Sequence, residues 1–93
     1  MRLISQNGEY DIPYENCLLT IKQTDKNAVR IIASSNLENF SCFTLAKYKD
    51  IETADKAMKK MWEKYLEIRS GGLTSIVPPR IYQFPSEEEV LNG

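Results

Sequence analysis

The stretch that decides the fold is Thr53 to Arg69, TADKAMKKMWEKYLEIR. Ala54, Ala57, Met58, Met61, Tyr65 and Ile68 recur three and four residues apart and so line one stripe of a helix. Lys56, Lys59, Lys60, Glu63, Lys64 and Glu67 fall on the opposite face. No other segment is long and periodic enough for a helix of this kind, and the remainder reads as short strands and turns. An amphipathic helix must bury its stripe, and a sheet built from those strands is the surface available to it.

Both ends of the helix are marked. Asp50 and Thr53 each suit the N-cap, and Glu52 and Asp55 place negative charge where the helix dipole favours it. Glu52 with Lys56, and Asp55 with Lys59, are acid-before-base pairs one turn apart. Gly71-Gly72 supplies a left-handed stop after Arg69 and Ser70.

Upstream, Arg2 to Gln6 and Glu9 to Ile12 flank Asn7-Gly8, a strong hairpin signal because a type I′ turn needs positive φ at both central residues. Pro13 removes a backbone donor, so the second strand ends there or runs at an edge. Cys17 to Gln23 and Ala28 to Ser34 form a second hairpin around the polar turn Thr24 to Asn27, with apolar residues on both faces that suit central strands. Phe40 to Lys49 is a fifth strand, in which Cys42, Thr44, Ala46 and Tyr48 alternate with Phe43, Leu45 and Lys47. Beyond the helix, Pro78-Pro79 forces an extended link and Arg80 to Phe84 is a last short strand. The expected fold is α+β: an antiparallel sheet of five to six strands in meander order with one amphipathic helix packed on one face.

A chain of 93 residues makes one domain, with Ser86 to Gly93 as a flexible acidic tail. Hydrophobic residues at 42% and charged residues at 27% are ordinary for a globular protein. Twelve basic against thirteen acidic residues, net −1, argue against a coat for duplex nucleic acid. Local basic patches are compatible with that balance, since lysines cluster in the helix and acids near the end. Cys17 and Cys42 lie in apolar runs and are expected as buried free thiols. No apolar run reaches the roughly 20 residues that span a bilayer, and MRLISQNGEY lacks a signal-peptide core. The expected location is the cytoplasm.

The absence of histidine removes the commonest general base and zinc ligand. Four glycines form neither a phosphate loop nor a dinucleotide fingerprint. Glu87-Glu88-Glu89 is read as solvated charge, because neighbouring carboxylates point in different directions. Asp11 and Glu15 are carboxylates available for acid/base work, though acids beside a proline turn commonly cap backbone donors. No enzyme, cofactor or metal site is expected. Binding is the open class. Lys47-Tyr48-Lys49 and Arg80-Ile81-Tyr82 interleave cations with aromatics, which can stack a base and pair a phosphate, or else pack at sheet rims. The candidate ligand-binding residues are Tyr14, Lys47, Tyr48, Arg80 and Tyr82. Trp62, just off the apolar stripe, either completes the core or anchors a partner.

The opening MRLISQNGEYDIPYE adds a resemblance. Met1, Arg2, Leu3, Ile4, Ser5, Gln6, Asn7, Gly8, Asp11, Ile12, Pro13, Tyr14 and Glu15 match the start of a family of small proteins from phages, prophages and conjugative elements of Gram-positive bacteria. Its pattern is Met-Arg, two aliphatics, Ser-Gln, Asn or Asp, Gly, then Asp, an aliphatic and Pro-Tyr-Glu. Leu45-Ala46-Lys47-Tyr48, Ala57 and Met61 in the helix, and Gln83-Phe84-Pro85 are similar more loosely, while residues 16–43 are free to differ. The resemblance implies an accessory protein of a mobile element inside a bacterial cell. In that setting small non-enzymatic proteins often counter host immunity, by sequestering a nucleotide signal (a cyclic nucleotide or an ADP-ribose derivative) or by blocking a defence protein. The alternative is a protein-interaction module with no small ligand. Exposed strand edges of an open sheet also lead to the expectation of a homo-oligomer, most simply a homodimer.

Overall fold

The computed structural model describes residues 1–35, 42–70 and 81–92, with residues 35 and 68–70 as backbone alone. The chain runs β1 (Arg2–Ile4), β2 (Asp11–Pro13), a 3₁₀ turn (Tyr14–Asn16), β3 (Cys17–Asp25), β4 (Ala28–Ser35), β5 (Cys42–Tyr48), α1 (Ile51–Ser70), β6 (Ile81–Gln83) and α2 (Glu87–Asn92). The class is α+β. The single meander sheet is replaced by two three-stranded sheets, ordered β2-β1-β6 and β3-β4-β5. Two physical causes divide them. Pro13 ends β2, and the 3₁₀ turn sends the chain off to begin a new sheet. The open edge of β1 is then taken by β6, in parallel, with Leu3 opposite Tyr82.

The first hairpin forms as expected, with Leu3 opposite Ile12 and Pro13 closing an edge strand. Its turn is not type I′, because only Gly8 has positive φ, at 76°. Instead the buried hydroxyl of Ser5 donates to Asn7 Oδ1 at 2.6 Å and accepts the Tyr10 N–H at 3.0 Å. Asn7 Oδ1 also accepts the Glu9 N–H, so one Asn side chain organises the loop that was expected to need its left-handed backbone.

One side chain joins the sheets. The Gln6 backbone N–H donates to Leu45 O at 2.7 Å. Gln6 Oε1 accepts the Lys47 N–H at 2.9 Å, and its Nε2 donates to Pro85 O at 2.9 Å and Lys47 O at 3.3 Å. The amide thus acts as one more residue of strand along the outer edge of β5.

In the second sheet β4 is central, as expected, but β3 is an edge strand. Two irregularities set its register. One lies between Gln23 and Asp25, where β3 runs on and leaves Lys26-Asn27 as the turn. The other lies in β5: Ile31 opposes Ala46 and Ile32 opposes Thr44, which leaves Leu45 as an extra residue. The expected alternation of β5 breaks there. Leu45 and Ala46 are both buried, Tyr48 joins them in the core at 2% exposure, and Lys47 turns out to the other face.

α1 packs across β3, β4 and β5, burying Ala54, Ala57, Met58 and Met61 against Val29, Ile31, Ala33 and Leu45. Leu3 of the first sheet and Phe84, just past β6, join the same core. Asp50 is the N-cap, its Oδ1 accepting the Thr53 N–H at 2.7 Å. The Gly71-Gly72 stop and the Pro78-Pro79 link lie outside the described residues. Within the acidic end, α2 starts at a reciprocal box: Glu89 N–H donates to Ser86 Oγ, and Ser86 N–H donates to Glu89 Oε1. Val90 is buried against the core.

Candidate functional site

The tyrosines nominated from sequence are each engaged in the fold. Tyr48 donates its hydroxyl to Pro85 O at 2.7 Å. Burial, with repulsion from neighbouring groups, pushes that phenol far above its ordinary value. Tyr82 is half-buried, meets Phe84 edge-on at 5.2 Å and donates its hydroxyl to Ala57 O of α1 at 3.0 Å. Burial, reinforced by the charge of Glu89, pushes Tyr82 up to about 12. Tyr14 stacks on Tyr65 of α1, centroids 4.8 Å apart and planes 22° from parallel. These rings tie the first sheet and the C-terminal segment to the rest of the fold. Of the nominated residues that are described, Lys47 alone is exposed, and Arg80 lies outside the described residues.

The carboxylates are likewise engaged. Asp11 Oδ1 accepts from Arg2 Nε at 2.7 Å, and Glu15 Oε1 accepts from the Met1 ammonium at 2.6 Å. That hydrogen bond is the main reason the Glu15 carboxyl sits below its ordinary value. No group of three or more acidic, cysteine or histidine side chains is placed to hold a metal ion among the described residues. Both cysteines are free, but only Cys17 is partly buried and Cys42 is exposed, against the expectation of two buried thiols. Cys17 Sγ donates to Tyr14 O at 3.4 Å, and burial pushes its thiol up. No helix among the described residues is long and apolar enough to cross a membrane.

Among the described residues, two surfaces offer contacts to other molecules on the secondary structure around the core. One is the outer side of α1, where Trp62 is 52% exposed and Leu66, one turn on, is 63% exposed. Trp62 therefore stands outside the core. The other is the face of β3-β4-β5 turned away from α1, with Leu18, Thr20 and Lys22 on β3, Ser34, Ile32 and Arg30 on β4, and Cys42, Thr44 and Lys47 on β5. Sequence reasoning missed this face because it depends on cross-strand register, and the irregularities near Thr24 and at Leu45 set that register. A shallow groove of about 140 Å³ opens beside it, lined by Gln6, Asn7, Thr44, Leu45, Ala46 and Lys47. That volume is below the roughly 300 Å³ at which small-molecule pockets begin. No family model, no curated protein and no solved structure matches the chain.

Proposed function

We propose that this chain is a small non-enzymatic binding protein of phage or mobile-element origin that counters bacterial immunity by occupying a surface of a host defence protein. The observation that carries this reading is Trp62, held 52% exposed on the outer side of α1 beside the exposed Leu66. A large exposed indole is an unfavourable surface for an isolated domain and the commonest kind of anchor in a protein interface. The mobile-element setting comes from the resemblance carried by Met1 to Glu15.

Sequestration of a nucleotide signal is the second reading, and Lys47 with the groove beside it is the observation that favours it. Of the nominated rings, Tyr48 and Tyr82 have their hydroxyls committed to Pro85 O and Ala57 O, and Tyr14 has a face against Tyr65. The protein-blocking reading therefore has the better support. A second copy of the chain is the other occupant of the Trp62 surface.

The test is plaque formation on a panel of bacterial strains, each carrying one defence system, with the chain supplied in trans. Restored plaques on one strain, lost with Trp62→Ala while circular dichroism is unchanged, is the expected result. Trp62→Ala protection equal to the parent removes the Trp62 reading. Native mass spectrometry separates the alternatives: a retained small mass supports sequestration, and a dimer that Trp62→Ala converts to monomer assigns the surface to self-association.

A further inference from the structure

The outer face of β3-β4-β5 carries a line of three cations in direct cross-strand register. Lys22 stands opposite Arg30, and Arg30 stands opposite Lys47. Directly paired residues on neighbouring antiparallel strands project from the same face. Strands lie about 4.8 Å apart, so the outer two backbones are about 10 Å apart and the three side chains share one band across the sheet. Like charges placed opposite one another destabilise a sheet, and none of the three is in an ion pair among the described residues. Arg30 Nε is buried with no hydrogen-bond partner. A desolvated guanidinium N–H is costly to leave unmatched.

One acid shares this face at its end, since past the irregularity Asp25 pairs with Ala28, two residues from Arg30; the other outward positions hold Leu18, Thr20 and Thr24 besides Lys22 on β3, and Cys42 and Thr44 besides Lys47 on β5. The acids at that end of the sheet are occupied: Asp25 accepts the Lys26 N–H, Asp50 caps α1, and Glu87 accepts the Lys49 N–H. Alongside the cations run the hydroxyls of Thr20 and Thr44, with half-buried Ile32 between them, and the groove beside Lys47 opens at the β5 edge.

We infer that this face binds the phosphodiester backbone of single-stranded nucleic acid. It is a site separate from Trp62 and does not depend on the defence-protein reading. The guanidinium fork of Arg30 suits phosphate oxygens, and two flanking lysines extend the positive band along a polyanion. A flat face beside a shallow groove suits an extended chain better than a compact small molecule. No aromatic side chain stands at an outward position of these strands, so the face reads phosphates and tolerates any sequence. Three cations on a chain of net charge −1 are too few to coat a duplex.

The test is fluorescence anisotropy of a labelled oligo(dT) with the full chain across a salt series. Single strands give a log-affinity slope of about −0.7 per phosphate neutralised, so the expected slope is about −2 for three contacts. Lys22→Gln and Lys47→Gln each remove about 0.7 from that slope, and the triple variant with Arg30→Gln abolishes binding. Relief of like-charge repulsion keeps the triple variant folded, checked by its urea midpoint. Nuclear magnetic resonance shifts on adding oligo(dT) are expected at Lys22, Arg30, Ile32, Thr44 and Lys47 and not at Trp62. A slope unchanged in either single variant, or shifts elsewhere on the protein, overturns the proposal. Equal binding of polyglutamate, inorganic triphosphate or a DNA duplex overturns it too.

Discussion

Truncation of Gln6 tests whether one amide holds the two sheets together. In Gln6→Ala the backbone contact to Leu45 O survives, but three side-chain hydrogen bonds disappear. The two at 2.9 Å are each worth about 1 kcal/mol net, and the one at 3.3 Å less. Leaving their partners unmatched adds little. The Lys47 N–H is at an exposed position where water replaces Gln6, and Pro85 O keeps the Tyr48 hydroxyl. The expected loss is therefore about 2 kcal/mol, which for a domain of this size lowers Tm by roughly 8–16 °C. Urea denaturation gives the free energy, and hydrogen exchange at the Lys47 amide gives the location, since that N–H should lose its protection selectively. A loss under about 0.5 kcal/mol with Lys47 exchange unchanged would refute the reasoning, and the connection would then rest on the shared core around Leu3 and Phe84 with the Gln6 N–H and Tyr48 hydroxyl bonds that the substitution leaves in place.

Three further outcomes follow from the same contacts. Tyr82→Phe removes the bond to Ala57 O and should cost about 1 kcal/mol in urea denaturation. Because the Tyr82 phenol is pushed from 10.0 to about 12, its contribution is complete below pH 10 and is lost as pH rises through 12. Tyr48 shifts the same way, so the decline in urea midpoint above pH 10 should be shallower in the Tyr48→Phe/Tyr82→Phe pair than in either single variant. Asp50 is held below 3.8 by its hydrogen bonds from Thr53, so its contribution is present above that pH and lost as pH falls through the folded value. Asp50→Asn should keep the cap and flatten the acid side of the urea midpoint against pH, whereas Asp50→Ala should lower the midpoint at neutral pH.

What was legible in the sequence was local. The helix, its Asp50 cap, both hairpins and the edge role of Pro13 follow from periodicity and turn chemistry within a few residues of each feature. The Ser86-x-x-Glu89 box was equally readable and marks α2. The pairing of Leu3 with Tyr82 was not, because it joins opposite ends of the chain and neither strand's pattern names its partner. Interleaved cations and aromatics were an unreliable guide to a site for a related reason. Lys47-Tyr48 reads as one mixed patch along the chain, yet strand alternation sends its two side chains to opposite faces. Trp62 was visible as off the stripe, and only packing could show on which side of the core it lay. Lys47 itself offered a hint, since a lysine in phase with Phe43 and Leu45 conflicts with a buried face.

The extra residue at Leu45 gives β5 slack in its length. Removing Leu45 or Ala46 would leave one inward residue between Thr44 and Lys47, so the strand would become regular while Lys47 and Tyr48 kept their faces and their partners Arg30 and Val29. In β4, which has no residue to spare, a single deletion between Val29 and Ala33 would instead exchange inside for outside along the rest of the strand. A deletion scan should therefore find β5 tolerant at Leu45 and Ala46 and β4 intolerant, and that contrast would be visible before any ligand is known.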